Sequence, residues 1–220
     1  MRGRILYTAS AVGSALLAGL AFAVQSNELR EALERKPDYE HGRTLYETCA
    51  ACHQSDGAGA AGGDIPNIAG QHFAVVINQL VNFRDTRRLD LRMNAFAASH
   101  RLEGPQELAD VAAYIADLSP QQTDSRGDGQ FTGVGAMAYR RACESCHGAG
   151  AEGDDRLFHP RLAGQHYGYL VKRMAMMVRG PRFNMSLDHS ELLDSLTDEE
   201  IIGVADYLTR LRPEPSSAAN

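Results

Sequence analysis

The 220-residue sequence predicts an all-α protein built from two copies of one domain. Three observations carry that expectation. A shift of 94 positions lays Cys49-Ala-Ala-Cys-His53 on Cys143-Glu-Ser-Cys-His147, Pro66 on Pro160, and Ala69-Gly70-Gln71-His72 on Ala163-Gly164-Gln165-His166, and self-similarity at a fixed offset marks a repeated unit. Within each copy, apolar residues recur at the three-and-four spacing of a helix. No stretch alternates apolar and polar residues as a half-buried strand does.

The elements follow in chain order. Arg2 and Arg4 precede an apolar stretch from Ile5 to Val24, and Ala21-Phe22-Ala23 is an A-x-A-like cleavage pattern, so residues 1–23 read as a bacterial secretory signal. The competing reading is an uncleaved anchor, because the stretch approaches the length of a membrane span; its small residues and cleavage pattern favour removal. Removal takes away two arginines and no acids, moving the formal charge from -6 to -8. A charged segment, 24–37, leads into a first domain at 38–119.

In that domain Leu45 and Tyr46 lie in a segment of helical spacing that ends at the first Cys-Ala-Ala-Cys-His motif, and the Gly- and Ala-rich run from Gln54 to Gly63 is irregular. A helix from about His72 to Arg84 carries Phe73, Val76, Ile77, Leu80 and Phe83 on one face. A last helix has Pro105 at its first position and runs to about Leu118, burying Leu108, Val111, Ala112 and Ile115. A polar, Gly-rich linker at 120–133 precedes the second domain at 134–212, where Thr197-Asp-Glu-Glu200 is a capping box opening a helix with Ile201, Val204, Ala205 and Leu208. Residues 213–220 are a tail. Domains of this size have thin cores, which a large buried cofactor would stabilise.

The two pentapeptides contain every cysteine in the chain, and each is a c-type haem attachment signature. Positions i, i+3 and i+4 share one face of a helical turn, so two thiols and an imidazole converge on one porphyrin. Cys49, Cys52, Cys143 and Cys146 are expected to hold the haem vinyl groups as thioethers, with His53 and His147 binding iron. Disulfides or a Cys-rich zinc site also use four cysteines, but neither accounts for a histidine directly after each second cysteine. The net charge of -6 argues against a nucleic-acid binder. No Gly-rich phosphate loop and no Ser/His/Asp arrangement can be read.

The order C-x-x-C-H, Gly-rich loop, proline, Ala-Gly-Gln, helix, methionine-containing loop and Ala-Tyr-Ile/Leu helix resembles a class I cytochrome c domain. Doubled, it resembles the di-haem cytochrome c4 family and the related haem subunits of periplasmic dehydrogenases, over essentially the whole mature chain. The resemblance implies a tandem pair of class I cytochrome c domains related by a pseudo-twofold axis, with two covalent haem c groups attached on the periplasmic side of the inner membrane. It further implies a methionine as the sixth iron ligand: Met93 in the first copy and Met185 in the second, 21 and 22 residues before Tyr114 and Tyr207. Met174, Met176, Met177 and His189 compete with Met185, and His100 more weakly with Met93. Pro66 and Pro160, each 13 residues after its motif histidine, are implied to offer their carbonyls to the iron-bound imidazoles.

Arg84, Arg87, Arg88 and Arg92, with Lys172, Arg173, Arg179 and Arg182, meet either haem propionates, a partner, or only solvent. Gln71 and Gln165 are expected to be structural, and His72 and His166 to be helix-start residues. Gln54 stands where Gly148 stands in the second copy, which predicts a looser turn after the first motif.

Histidine–methionine ligation saturates the iron and raises its potential, which implies a single-electron carrier rather than an enzyme. The implied partners are a quinol-oxidising cytochrome complex as donor and a haem-copper terminal oxidase as acceptor. The alternatives are the haem subunit of a sulfide or thiosulfate dehydrogenase, beside that enzyme's catalytic subunit, and a di-haem peroxidase. Residues 38–119 hold 6 basic and 11 acidic groups and 134–212 hold 10 and 11, a net of -5 against -1 that polarises the molecule end to end.

Overall fold

The computed structural model describes residues 27–98, 100, 102–179 and 187–214. A helix over 27–34 (α1) is followed by α2 (Tyr39–His53), α3 (Phe73–Arg84), α4 (Leu91–Ala97), α5 (Pro105–Asp117), α6 (Thr132–Ala142), α7 (Glu144–His147), α8 (Tyr167–Arg179), α9 (Leu187–Asp194) and α10 (Asp198–Arg210). Among the described residues the only β pairing is two isolated bridges, Ala60 with Ile65 and Asp154 with His159, themselves 94 positions apart. The protein is all-α.

Each half has its own core. In the first, Tyr46, Ile77, Leu108, Val111 and Ile115 are buried together; in the second, Tyr139, Leu170, Ile201, Val204 and Leu208 are. The entry helix of each half crosses its exit helix, α2 over α5 and α6 over α10. The crossings are close because one side chain is missing. A Cβ on Gly42 would lie 2.0 Å from the Asp110 carbonyl oxygen, and one on Gly135 would lie 1.9 Å from the Gly203 carbonyl carbon. Beside each crossing two tyrosine rings meet, Tyr46 with Tyr114 at 5.0 Å and Tyr139 with Tyr207 at 5.5 Å between centroids.

Local signals start the helices. Asp38 caps α2 by accepting from the His41 N–H at 3.0 Å. Pro105 takes the first position of α5, and the Glu107 carboxylate reaches back to the Gly104 N–H at 3.0 Å. The Thr197 hydroxyl and Glu200 carboxylate exchange bonds across the start of α10 at 3.2 and 3.0 Å, completing the capping box. The expected methionine loops differ from expectation: Met93 lies within a helix, α4, and a second short helix, α9, follows position 185. Asp90 starts α4 by accepting from the N–H groups of Arg92 and Met93. Seven or eight residues are two turns, too few to show a helical period in sequence.

Buried charges anchor the helices. Asp110 on α5 accepts from the Asp38 N–H at 2.7 Å and pairs with His41 Nδ1 at 2.8 Å. Asp206 on α10 collects Gly127 N–H, Gly129 N–H, the Thr132 hydroxyl and Arg210 Nε, all within 3.0 Å, and so pins the segment before α6 to the end of α10.

The halves face each other through reciprocal bonds. Gln71 accepts from Arg161 N–H at 2.9 Å and donates to Arg161 C=O at 3.0 Å; Gln165 does the same to Asn67 at 2.9 and 2.7 Å. His72 and His166 begin α3 and α8 as expected, and each also donates through Nε2 across the interface, to Glu152 C=O and Ala58 C=O, both at 2.7 Å. Every partner is related to its counterpart by the same 94-residue shift, so the two domains stand about a pseudo-twofold axis.

Candidate functional site

The site begins where α2 ends. Cys49, Cys52 and His53 occupy its last turn, with Cys52 exposed, Cys49 partly buried and His53 only 6% exposed. In the second half the helix breaks at Cys143, and the separate turn α7 carries Cys146 and His147, the latter 8% exposed. All four thiols are free, so the disulfide reading has no support. Among the described residues no group of three or more His, Cys, Asp or Glu side chains is arranged to hold a metal ion.

Each histidine is oriented by a proline carbonyl. His53 Nδ1 lies 3.1 Å from the Pro66 oxygen, and His147 Nδ1 lies 3.0 Å from the Pro160 oxygen. A carbonyl only accepts, so Nδ1 carries the proton and Nε2 is the nitrogen left for a metal. Burial is the main cause that lowers the pKa of both imidazoles, with the proline carbonyl opposing it; His147 is pushed down to about 4, aided by His189 and His159. Both rings are thus held in the neutral, metal-binding form. Burial also pushes the Cys49 and Cys143 thiols up to about 11. Two free thiols three residues apart, beside a neutral, pre-oriented imidazole, fit covalent haem attachment and axial ligation.

The turn after each motif corrects one expectation. Gln54 has φ 65° and ψ 166°, nearly matching Gly148 at φ 80° and ψ 161°, so the first loop turns as sharply as the second. Side-chain bonds hold this glycine-like conformation: the Tyr46 hydroxyl donates to the Gln54 carbonyl at 2.8 Å, and the Gln54 amide donates to the Gly59 carbonyl. Tyr139 makes the equivalent bond to Gly148 at 2.6 Å.

Met93 is half-buried as the third residue of α4. Met185 and Arg182 lie outside the described residues. His100 is exposed. Met174 is buried in the second core with Met177 packed against it, and Met176 is exposed, so all three are α8 residues rather than loop ones. Two further histidines flank His147: the ring centroids of His159 and His189 lie 6.1 and 6.3 Å from its own. Burial first, then Arg173 and His159, lowers the pKa of His189. The corresponding positions of the first half hold no histidine, Ile65 standing for His159.

The basic residues divide. Arg84 is structural, donating to Ala97 C=O, Leu102 C=O and Glu28, and Lys172 pairs with Asp64 at 2.8 Å. Arg87 pairs with Asp85 and Arg92 with Asp90, at 3.1 and 3.6 Å, and Arg179 approaches Asp198 at 3.9 Å. Arg88 donates to Gln79 and to the Tyr169 hydroxyl of the other half, both at 2.5 Å. Burial, with Arg88 nearby, pushes Arg173 down to about 10, and no carboxylate among the described residues pairs with it. Sequence reasoning missed the interdomain contacts of Asn67 and Arg161, because they are made largely by main-chain groups.

Comparison with known proteins agrees with this geometry. The Cytochrome c family profile matches residues 39–119, and the profile for cytochrome c oxidase, cbb3-type, subunit III matches 132–208. The chain is 31% identical over 180 residues to cytochrome c4 of Thiocapsa roseopersicina, covering 74% of this chain and 86% of that protein. It is 37% identical over 112 residues to the thiosulfate dehydrogenase electron acceptor of Stutzerimonas stutzeri, about half of each chain (51% and 50%). Its fold matches reduced recombinant cytochrome c4 from Pseudomonas stutzeri with a TM-score of 0.72 at 24% identity, over 80% of this chain and 100% of that one.

Proposed function

Because the chain belongs to the cytochrome c4 family, and so is a di-haem electron-transfer cytochrome with two covalently bound haem c groups rather than an enzyme, we propose that it acts in the periplasm between a quinol-oxidising cytochrome complex and a haem-copper terminal oxidase. The matched pair of Nδ1-to-proline bonds beside the two motifs supports its haem-binding part. In it, 38–119 and 134–212 are the haem-carrying domains, 120–133 joins them, and residues 1–23 are removed on export.

Cys49 and Cys52 attach the first haem, His53 and Met93 bind its iron, and Pro66 fixes the His53 ring. Cys143, Cys146, His147 and Pro160 take the corresponding roles in the second domain. Each haem supplies an iron that gains and loses one electron, at a potential set by its axial ligands. The buried imidazoles exclude water from the iron-binding nitrogens. Arg173, half-buried near Arg88 and Tyr169 and without an acidic partner among the described residues, suits a propionate. The more acidic first domain steers a basic partner to that end of the molecule.

Stopped-flow mixing tests the reading. The expected result is rapid reduction by the quinol-oxidising complex and reoxidation by the terminal oxidase, with both rates falling as salt rises. A second reading, electron acceptor of a thiosulfate dehydrogenase, is supported by the 37% identity to a protein of that name. Rapid reduction by the thiosulfate enzyme and slow reduction by the quinol complex would favour it; reduction by neither overturns both. Amino-terminal sequencing of the exported protein checks removal of the leader, with Val24 expected first.

A further inference from the structure

We propose that His189 is the far-side axial ligand of the second haem iron, so that this iron lies between two imidazoles whereas the first lies between an imidazole and a thioether. The proposal rests on the reading that Cys143, Cys146 and His147 hold a haem.

Spacing is the first support. Two imidazoles on opposite sides of one metal, each at a metal–nitrogen distance of about 2.0 Å, stand with their ring centres roughly 6 Å apart. The His147 and His189 centroids are 6.3 Å apart. Their interplanar angle of 53° is no obstacle, because two rings that share one metal–nitrogen axis can stand at any angle to one another about it.

Placement in the fold is the second and independent support. α4 and α9 occupy the same place in their domains, between a long helix on which each packs and the final helix. Met93 stands on α4 and His189 on α9. His189 is therefore carried by the element that corresponds to the one carrying Met93. Counting back from Tyr207, as the sequence repeat suggests, selects Met185 instead, which lies outside the described residues.

His159 is at a similar spacing, 6.1 Å, but on a different approach. Its backbone exchanges two 2.9 Å bonds with Asp154, and the next residue, Pro160, gives its carbonyl to His147 Nδ1. That strand of chain meets His147 at the nitrogen turned away from the iron.

Replacing a thioether by an imidazole lowers the potential of the iron. The second haem is then the harder of the two to reduce, and an electron on the half-reduced protein rests on the first.

The experiment uses the full-length oxidised holoprotein and the methionine-to-iron charge-transfer band, calibrated per chain, with haem counted by the pyridine haemochrome. Wild type is expected to show two haems but the band of one. Met185→Ala is expected to leave the band unchanged, and His189→Met to double it and raise one of the two potentials in a redox titration. A wild-type band worth two methionines overturns the proposal, as does a band halved by Met185→Ala. Loss of the second haem's low-spin signal in His159→Asn but not in His189→Ala also overturns it. A count of one haem per chain overturns the underlying reading itself, and the two failures are thereby told apart.

Discussion

Gln165 grips Asn67 by both backbone groups at once, its side-chain oxygen accepting from the Asn67 N–H at 2.9 Å and its amide donating to the Asn67 carbonyl at 2.7 Å. Gln71 holds Arg161 in the same way from the opposite domain. A primary amide matches a peptide group donor for acceptor, so four main-chain groups that the interface would otherwise leave unsatisfied are paired by two side chains.

Breaking one clasp weakens the union of the domains. Gln71→Leu leaves the Arg161 N–H and C=O without these partners, at a cost of about 1–3 kcal/mol. Calorimetry is expected to show a lower midpoint and a single unfolding transition broadening toward two. An unchanged midpoint and shape would show that the clasp does not couple the domains.

Asp206 makes the second domain sensitive to acid. Burial alone raises its pKa, but hydrogen bonds from Thr132 and Arg210, the Arg210 charge and the Gly127 N–H outweigh it and leave a net lowering. A carboxylate depressed in the folded state stabilises above its ordinary range and loses that contribution as pH falls through the folded value. Urea midpoints of Asp206→Asn should lie below wild type at neutral pH, with the gap closing below about pH 4. A gap that persists unchanged at low pH would refute the charge contribution.

The helix crossings set a size limit. Gly135→Ala puts a methyl group 1.9 Å from the Gly203 carbonyl carbon, so α6 and α10 must separate. The expected loss is about 1–3 kcal/mol, as for other overpacked sites. Gly133→Ala, where an added Cβ meets nothing within 4 Å, is the control and is expected to be stable. Thermal melts of the two holoproteins decide the comparison.

Gln54 occupies a region of backbone space that is costly for a residue with a side chain, by about 1–3 kcal/mol. Gln54→Gly releases that strain while giving up one hydrogen bond to Gly59, worth about 1 kcal/mol. A net gain of about 1 kcal/mol in denaturant titration is expected. Destabilisation would mean that the Gln54 side chain is worth more than the strain it causes.

Contributions that act locally were legible before the structure. The paired C-x-x-C-H motifs, Pro105, the Thr197–Glu200 box and the apolar face of Val76 and Ile77 each act within one helix or turn, and each stands where residue spacing places it. What spacing could not reveal is non-local. Asp206 gains its meaning from Gly127 and Gly129, nearly 80 positions away, and the tight turn at Gln54 depends on a tyrosine hydroxyl. The short helices α4 and α9 were hidden because two turns contain no readable period, and with them went the correspondence between the element carrying Met93 and the one carrying His189.

The clasps also explain how a doubled chain can diverge without losing its symmetry. Because Gln71 and Gln165 read only peptide groups, the side chains at 67 and 161 were released from matching, and one became asparagine and the other arginine. Both still reach across to the same place, Asn67 to the Gly164 carbonyl at 3.3 Å and Arg161 to the Gly70 carbonyl at 3.2 Å, but only one adds a positive charge to the seam. A duplication held together through its main chain keeps its shape while its two halves are free to specialise.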